Sequence, residues 1–249
     1  MTKLNNSIIY SGPSLIDGKP IIVVCIVKSG NVKTGNMLQT HIIRADISPM
    51  KANKTGADVS ICGSCTHKGN PTDDASKKTA ENRTCYVNLG QGPNQVFKAY
   101  QKGNYPIITA EQTQKIGRGR MVRLGTYGDP AAVPATVWEN LLMHSAGHTG
   151  YTHQHNMVPD YSRLMYSADS QQDAQQAHSK GYRTFRVIPV AQYDLQGKGA
   201  LLTNEVLCPA SKENDCGVTC TTCKLCTGSG SKAKSIAIVA HGTSRNAVK

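Results

Sequence analysis

The stretch MVRLGTYGDPAAVPATVWENLLMHS, residues 121–145, joins a strand-like run to a helix-like one. MVRLGTYG has the length and the apolar content of a buried strand. Asp129 and Pro130 follow as an N-cap and a proline at the first helical position, where the missing N–H costs no hydrogen bond. The remaining segment has the length of a helix. The stretch therefore predicts one β/α unit.

The same alternation extends along the chain. A hairpin is expected near the N-terminus, with a turn at Asp17-Gly18 leading into Pro20–Val27. Later strand-like runs alternate with helices of about 10–15 residues, which favours a parallel sheet. After the hairpin the predicted strands are HIIRADI, VSICGSC, CYVNL, MVRLGTYG, TGYTHQ, RLMYSAD, YRTFRVIP, EVLCPAS and SIAIVAHG, and the predicted helices include residues 49–58, PNQVFKAYQKG and QQDAQQAHSKG, the last capped by Asp169 or Ser170.

This series predicts an α/β fold. Roughly eight strands suit a single β/α barrel-like domain over residues 1–249, complete or as a degenerate TIM-type barrel, and a doubly wound open sheet is the alternative. Functional residues of such barrels lie where strands end. For Asp129 and Asp169, helix capping is the alternative to a chemical role. The residues expected at one rim are Lys28, Ser29, Cys62, Cys65, Asn88, Asp129, His153, Ser167, Asp169, Arg186, Cys208 and His241.

Composition argues against two classes of protein. The chain has 249 residues, of which 39% are hydrophobic, so a disordered chain is not expected. The longest apolar run, Ile21–Val27, has the length of a strand and is too short for a transmembrane helix. The segment MTKLNNSIIYSG lacks the apolar stretch of a secretory signal. These features predict a cytoplasmic protein.

The charge is strongly basic. The formal net charge is +12, and residues 1–125 carry 17 basic and seven acidic residues. Such an excess predicts a polyanionic partner such as nucleic acid, and a solvated basic surface is the alternative. The tightest basic group contains no base-reading motif, so its binding to nucleic acid would be unspecific and salt-sensitive. This group is Lys115, Arg118, Arg120 and Arg123.

Nine cysteines point to a metal site, because clustered cysteines in a reducing cytosol are more often metal ligands than disulfides. Residues 208–226 form a C-terminal cysteine cluster with a C-x2-C-x2-C core and a remote Cys-Pro. Bacterial ferredoxins hold [4Fe–4S] clusters with these elements. Zinc is the alternative, although it more often takes two separate C-x2-C pairs. The predicted cluster ligands are Cys208, Cys220, Cys223 and Cys226.

A second group lies in a predicted loop insertion, residues 62–85. Cys62, Cys65 and Cys85 are predicted metal ligands. With His67 they would make a Cys3His zinc set, and alone they would hold a cubane with one open iron. His67 is either a ligand or an exposed loop histidine, and both cysteine groups may belong to one site or to two. Cys25, inside an apolar run, is predicted to be a buried hydrophobic residue.

The chain resembles an uncharacterised family of bacteriophage-borne Cys-rich proteins in IYSGPSLIDGKPIIVV, KTGNMLQT, CGSCTHKG, TCYVN, RLGTYGDPAAVP, HTGYTHQ, GYRTFRV and CPAS with the cysteine triplet. The resemblance implies a phage origin and the host cell cytoplasm, and it implies no particular activity.

The β/α rhythm with a cysteine triplet is also similar to radical S-adenosylmethionine (radical SAM) enzymes. Cys216, Cys220 and Cys223 match their C-x3-C-x2-C spacing. Two features differ: Thr222 replaces the usual aromatic residue, and the triplet precedes the last strand instead of following the first. The leading hypothesis is therefore an iron–sulfur protein on a β/α barrel-like scaffold, with redox or radical chemistry on a small molecule or nucleic acid. The alternative function is a zinc-stabilised nucleic-acid-binding protein without catalysis.

Overall fold

The computed structural model of the protein describes residues 5–30, 32–158 and 162–248. These residues form a mixed α/β structure, and none of their helices is both long and apolar enough to cross a bilayer. The strands are β1 (Ser7–Pro13), β2 (Pro20–Ile26), β3 (Leu38–Arg44), β4 (Met121–Tyr127), β5 (Gly147–Thr149), β6 (Tyr151–Thr152), β7 (Met165–Ala168), β8 (Thr184–Ile188), β9 (Glu205–Leu207) and β10 (Ser235–Val239). The helices are α1 (Pro49–Thr55), α2 (Val59–Cys62), α3 (Gly92–Gln101), α4 (Ala110–Gly117), α5 (Ala135–Leu142), α6 (Gln171–Ser179), α7 (Val190–Gln196) and α8 (Cys220–Cys223).

The first sheet has the strand order β1-β2-β3-β4-β5. β1, β2 and β3 are antiparallel neighbours, which confirms the predicted hairpin. β3, β4 and β5 are parallel. Its core is formed by the apolar run of β2, where Ile21–Cys25 are fully buried. The prediction that Cys25 is a buried hydrophobic residue is therefore confirmed.

The second sheet is parallel throughout, with the order β6-β7-β8-β10-β9. β5 and β6 are separated by Gly150 alone, so residues 147–152 contribute to both sheets. A Cβ atom on Gly150 would lie 2.7 Å from Leu164 Cδ2 and 3.2 Å from Leu124 Cβ. Glycine is therefore needed where the chain passes between the sheets.

The structure contains capping residues at two of the predicted helix starts. Asp129 Oδ1 accepts the Ala131 N–H at 3.0 Å, but it caps a short 3-10 turn. α5 begins only after Pro134, because the residue before a proline is held extended. Ser170, not Asp169, caps α6 by accepting the Asp173 N–H at 3.0 Å.

Two predicted strands are wrong. VSICGSC contains the short helix α2, whose turn is closed by the Cys62 N–H donating to Asp58 O at 2.8 Å. CYVNL forms no strand, because the Arg83 guanidinium binds the carbonyl groups of Cys85 and Val87 at 2.9 and 2.7 Å. The sequence analysis also did not predict the helices α4 and α7.

Arg186 lies inside the second sheet and not at the rim where it was predicted. Its side chain is 1% exposed, and that of Glu205 is fully buried. The guanidinium donates from Nε to Glu205 Oε1 at 2.8 Å and from Nη2 to Oε2 at 2.5 Å, and also binds Ala200 O at 2.9 Å. Such a bidentate pair joins β8 to the chain at β9 across the intervening β10.

We expect Glu205→Gln to destabilise the protein by roughly 3–5 kcal/mol, because a buried guanidinium then lacks its counter-charge. Denaturant unfolding followed by circular dichroism measures the change. The control is Glu111→Gln, which removes an exposed carboxylate paired with Lys115 on the surface of α4. Equal unfolding midpoints for the two variants would contradict this account of Arg186.

Candidate functional site: a cavity lined by seven cysteines

A cavity of about 450 Å³ lies where strands of both sheets end. Thr126 and Tyr127 of the first sheet and Phe185 and Ile236 of the second line it. Both cysteine groups reach it, so the two groups share one cavity. The cysteines that line it are Cys62, Cys65, Cys85, Cys208, Cys220, Cys223 and Cys226.

The C-terminal group is built on a strand end and a one-turn helix. Cys208 follows β9, and its N–H donates to Ala237 O at 2.7 Å. Cys220 and Cys223 are the first and last residues of α8. Lys224 adopts a left-handed conformation (φ 56°, ψ 15°) that ends the helix, and the chain then reaches the buried Cys226.

The segment KTGN, residues 33–36, holds this cysteine loop in place. The Cys220 N–H donates to Lys33 O at 2.9 Å, and Thr221 Oγ1 donates to Thr34 O at 2.7 Å. Gly35 has φ +62°, and a Cβ atom there would lie 2.9 Å from Thr221 Oγ1. The glycine thus lets the two loops approach closely.

Burial and mutual charge set the chemistry of these thiols. Burial, together with the charges of the other three cysteines, raises the pKa of Cys226 to about 12, although a hydrogen bond with Tyr151 lowers it. Burial likewise raises the pKa values of Cys208 and Cys220, with neighbouring thiolates adding to the effect. The raised pKa values of these three thiols keep them protonated, so a metal centre would be bound with loss of protons.

In the N-terminal group, burial and neighbouring charges also raise the pKa values of two thiols, those of Cys62 and Cys85. Cys62 ends α2, and the Cys85 N–H donates to His67 O at 2.9 Å. Burial raises the pKa of Cys62 well above its usual value, and the charges of Asp58, Cys65 and Cys85 raise it further. The three predicted ligands are therefore close enough to interact with one another.

Arg123 and Tyr86 lie between the two groups. The Arg123 guanidinium donates to Tyr86 Oη, and the Tyr86 ring lies 4.8 Å from that of His241. Arg123 interacts electrostatically with the thiolates of Cys220 and Cys226. Its Nε atom is buried and has no hydrogen-bond partner among the described residues. A buried cationic donor of this kind suits an anionic group such as a thiolate-ligated cluster.

A separate cluster joins the insertion to the second sheet. His153 Nε2 lies 3.1 Å from Asp169 Oδ1, and His67 Nε2 lies 3.6 Å from the same oxygen. Burial lowers the pKa of His67. Burial also opposes protonation of His153, but the charges of Cys65 and Asp169 outweigh it and raise that pKa well above its usual value. The sequence identified all three residues but could not pair them, because they follow different elements.

The other predicted positions divide between the cavity and the rest of the chain. Asp129, Ser167 and His241 line the cavity. Cys216 is exposed, and its thiol donates to Asn214 O at 3.3 Å. The site prediction missed three aromatic residues that line the cavity, Tyr86, Tyr127 and Tyr151. The sequence offers no signal for them. Predicted rim residues outside the cavity lining are Lys28, Ser29, Asn88 and Arg186.

The predicted basic group is also divided. Lys115 pairs with Glu111 at 2.8 Å, and Arg120 Nη2 donates to the carbonyl group of Val27 at 2.7 Å. Arg123 points into the cavity region. Arg120 and Arg123 are therefore each bound by other groups of the protein.

No protein-family model, curated protein or solved structure matches this chain. The function is accordingly argued from the geometry of the cavity.

We expect a short pulse of N-ethylmaleimide at pH 8 to modify Cys216 before any other cysteine, because its thiol is exposed. Cys25 should stay unmodified, because burial raises its pKa to about 12 and keeps it protonated at that pH. Peptide mass spectrometry measures both sites. Labelling in denaturant, where all nine cysteines should react, is the control, and equal rates for Cys25 and Cys216 in the folded protein would contradict the structure.

Proposed function

We propose that this protein is an iron–sulfur protein that holds a [4Fe–4S] cluster with Cys208, Cys220, Cys223 and Cys226. The observation that carries the proposal is the presence of these four mutually interacting cysteines on one cavity. Bound there, the cluster would supply one-electron redox chemistry to a molecule in the cavity.

The spacing of ligand atoms supports a cluster over a single zinc ion. Thiolates around one zinc ion lie about 3.8 Å apart, given Zn–S bonds of about 2.3 Å. Among the described residues, one group of potential ligands has its atoms within 4.8 Å of one another. This group is His67, His153 and Asp169, and it contains no cysteine. A cubane is wider than one ion and accepts more widely spaced sulfurs.

The position of Cys216 supports the four-cysteine set. The C-x3-C-x2-C set of radical SAM enzymes would need Cys216 as a ligand, but this residue is exposed and does not line the cavity. Cys208 and Cys226 are buried and line it. The proposed cluster is therefore closed by four thiolates, which favours redox chemistry over S-adenosylmethionine binding.

The N-terminal cysteines would hold a second metal or complete an adjoining site. Cys62, Cys65 and Cys85 line the same cavity, and Tyr86 interacts electrostatically with Cys65, Cys85 and Cys220, members of both groups. The cavity volume of about 450 Å³ is within the range of small-molecule sites. A small molecule between two metal centres is therefore the proposed substrate.

The proposal also includes the barrel-like arrangement of the strands and the compartment of the protein. The shared stretch 147–152 connects the two sheets, and Cys208 directly follows the C-terminal end of β9. The shared stretch supports a barrel-like arrangement, and the position of Cys208 supports a metal site at its rim. All nine cysteines are free, which supports a reducing compartment such as the cytoplasm.

We expect Cys223→Ser to lose most of the cluster iron and the brown colour of anaerobically purified protein, because one of four thiolates is missing. The loss should also destabilise the second sheet, whose small core cluster contains Cys208 and Cys226. Iron and acid-labile sulfide analysis measures the cluster, and circular dichroism melting measures the stability. Cys216→Ser is the matched control and should retain its iron.

Unchanged metal content in Cys223→Ser would contradict the ligand assignment. A colourless wild-type protein with stoichiometric zinc would instead favour the zinc-stabilised nucleic-acid-binding alternative, which rests on the basic charge. In that case retention on heparin should fall steeply with salt.

A further inference from the structure

The cluster of His67, His153 and Asp169 has a composition different from the cysteine groups. Its ligand atoms all lie within 4.8 Å of one another. The three residues come from the insertion, from the chain after β6 and from the chain after β7. Two imidazole nitrogens therefore face one carboxylate oxygen, an arrangement that suits a bound cation.

The side chains of His67 and Asp169 are each oriented by a neighbour through an atom that does not face the cluster. His67 Nδ1 binds Thr84 Oγ1 at 2.7 Å, which leaves His67 Nε2 directed at Asp169. Asp169 Oδ2 accepts the Thr66 hydroxyl at 3.0 Å, which leaves Oδ1 for the cluster. The backbone N–H of His153 donates to Asp129 Oδ2 at 2.8 Å, which fixes the main chain that carries this ring. Metal-ligating histidines and carboxylates are typically held by such partners.

The distances suit one metal ion. Ligand atoms about 2.1 Å from an ion lie about 3.0 Å apart in octahedral geometry and about 3.4 Å apart in tetrahedral geometry. The observed separations from Asp169 Oδ1 are 3.1 Å to His153 Nε2 and 3.6 Å to His67 Nε2. Both separations lie within a few tenths of an ångström of these values, and all three ligand atoms lie within 4.8 Å of one another.

The cluster is open on one side. The side chains of His67 and His153 are 19% and 18% exposed, that of Asp169 is 33% exposed, and all three line the cavity. Three protein ligands with the remaining positions open are typical of reactive metal sites, whereas structural sites are closed by four. Two histidines and one carboxylate form the donor set of many non-haem iron sites.

We propose that His67, His153 and Asp169 bind one divalent transition-metal ion whose open coordination positions face the cavity. The donors are nitrogen and oxygen, so this site is distinct from the cluster proposed at Cys208, Cys220, Cys223 and Cys226 and does not depend on it. Among the N-terminal cysteines, Cys65 interacts with His153. The open positions would receive an oxygen or nitrogen donor of a small molecule in the cavity.

Manganese(II) is a selective probe, because thiolates favour zinc, copper(I) and iron–sulfur clusters, whereas carboxylates suit manganese. The full chain is purified anaerobically, dialysed against EDTA to remove labile ions, and titrated with Mn²⁺. Loss of the electron paramagnetic resonance (EPR) signal of free Mn²⁺ measures binding. We expect one saturable site per chain in the wild type.

We expect His153→Gln and Asp169→Asn to weaken Mn²⁺ binding at least about tenfold, since loss of an outer-shell partner alone costs that much. His144→Gln, which changes an exposed histidine outside the cavity lining, is the control and should bind like the wild type. Cys223→Ser should also bind Mn²⁺ normally, because its thiol belongs to the other site.

A measurement on the wild-type protein tests the proposal even if the variants fail to fold. Pulsed EPR of bound Mn²⁺ should show coupling to imidazole nitrogen. Absence of saturable binding, absence of that coupling, or unchanged binding in both folded variants would overturn the proposal. Cluster absorption recorded on the same samples separates the two sites: a cluster without Mn²⁺ binding contradicts this site alone, and Mn²⁺ binding without a cluster contradicts only the proposed function.

Discussion

The direction of the strands is the constraint on which the cavity depends. Apart from the antiparallel pairs β1–β2 and β2–β3, the strand pairs of both sheets are parallel, and parallel strands end at the same edge of a sheet. The loops after β4, β6, β7, β9 and β10 therefore bring Asp129, His153, Asp169, Cys208 and His241 to one cavity. The shared stretch 147–152 joins the two sheets, so residues of both line its wall.

The cavity concentrates groups that are costly to bury alone. Seven thiols and a carboxylate–histidine cluster share it, with Arg123 between the cysteine groups. Metal ions would replace the protons of these groups and offset their mutual repulsion. The C-terminal thiols also belong to a small apolar cluster of the second sheet, where Cys208 and Cys226 pack with Met165, Ile236 and Ile238. Metal binding and the stability of that sheet are therefore coupled in this account.

Local signals in the sequence were sufficient for much of the fold. The Asp17-Gly18 turn, the apolar run of β2 and the capping residue Ser170 each act within a few residues, and each prediction is confirmed. The spacing of the cysteines identified both groups that line the cavity. Predictions were wrong where a distant or competing partner decides the structure. Arg83 binds carbonyl groups of CYVNL, and Arg186 pairs with Glu205 inside the sheet. The pairing of His67 with Asp169 depends on tertiary topology, which the sequence does not reveal.

The central claim is that the C-terminal thiolates surround an inorganic iron–sulfur centre. Mössbauer spectroscopy of anaerobic protein, expressed in medium enriched in the resonant iron isotope, tests this claim most directly, because it reports the ligands and the valence of every iron atom. The account predicts a dominant signal of sulfur-ligated, valence-delocalised iron pairs, as in a four-cysteine [4Fe–4S] cluster. A spectrum that contains only isolated iron with nitrogen or oxygen ligands, or no bound iron at all, would contradict it.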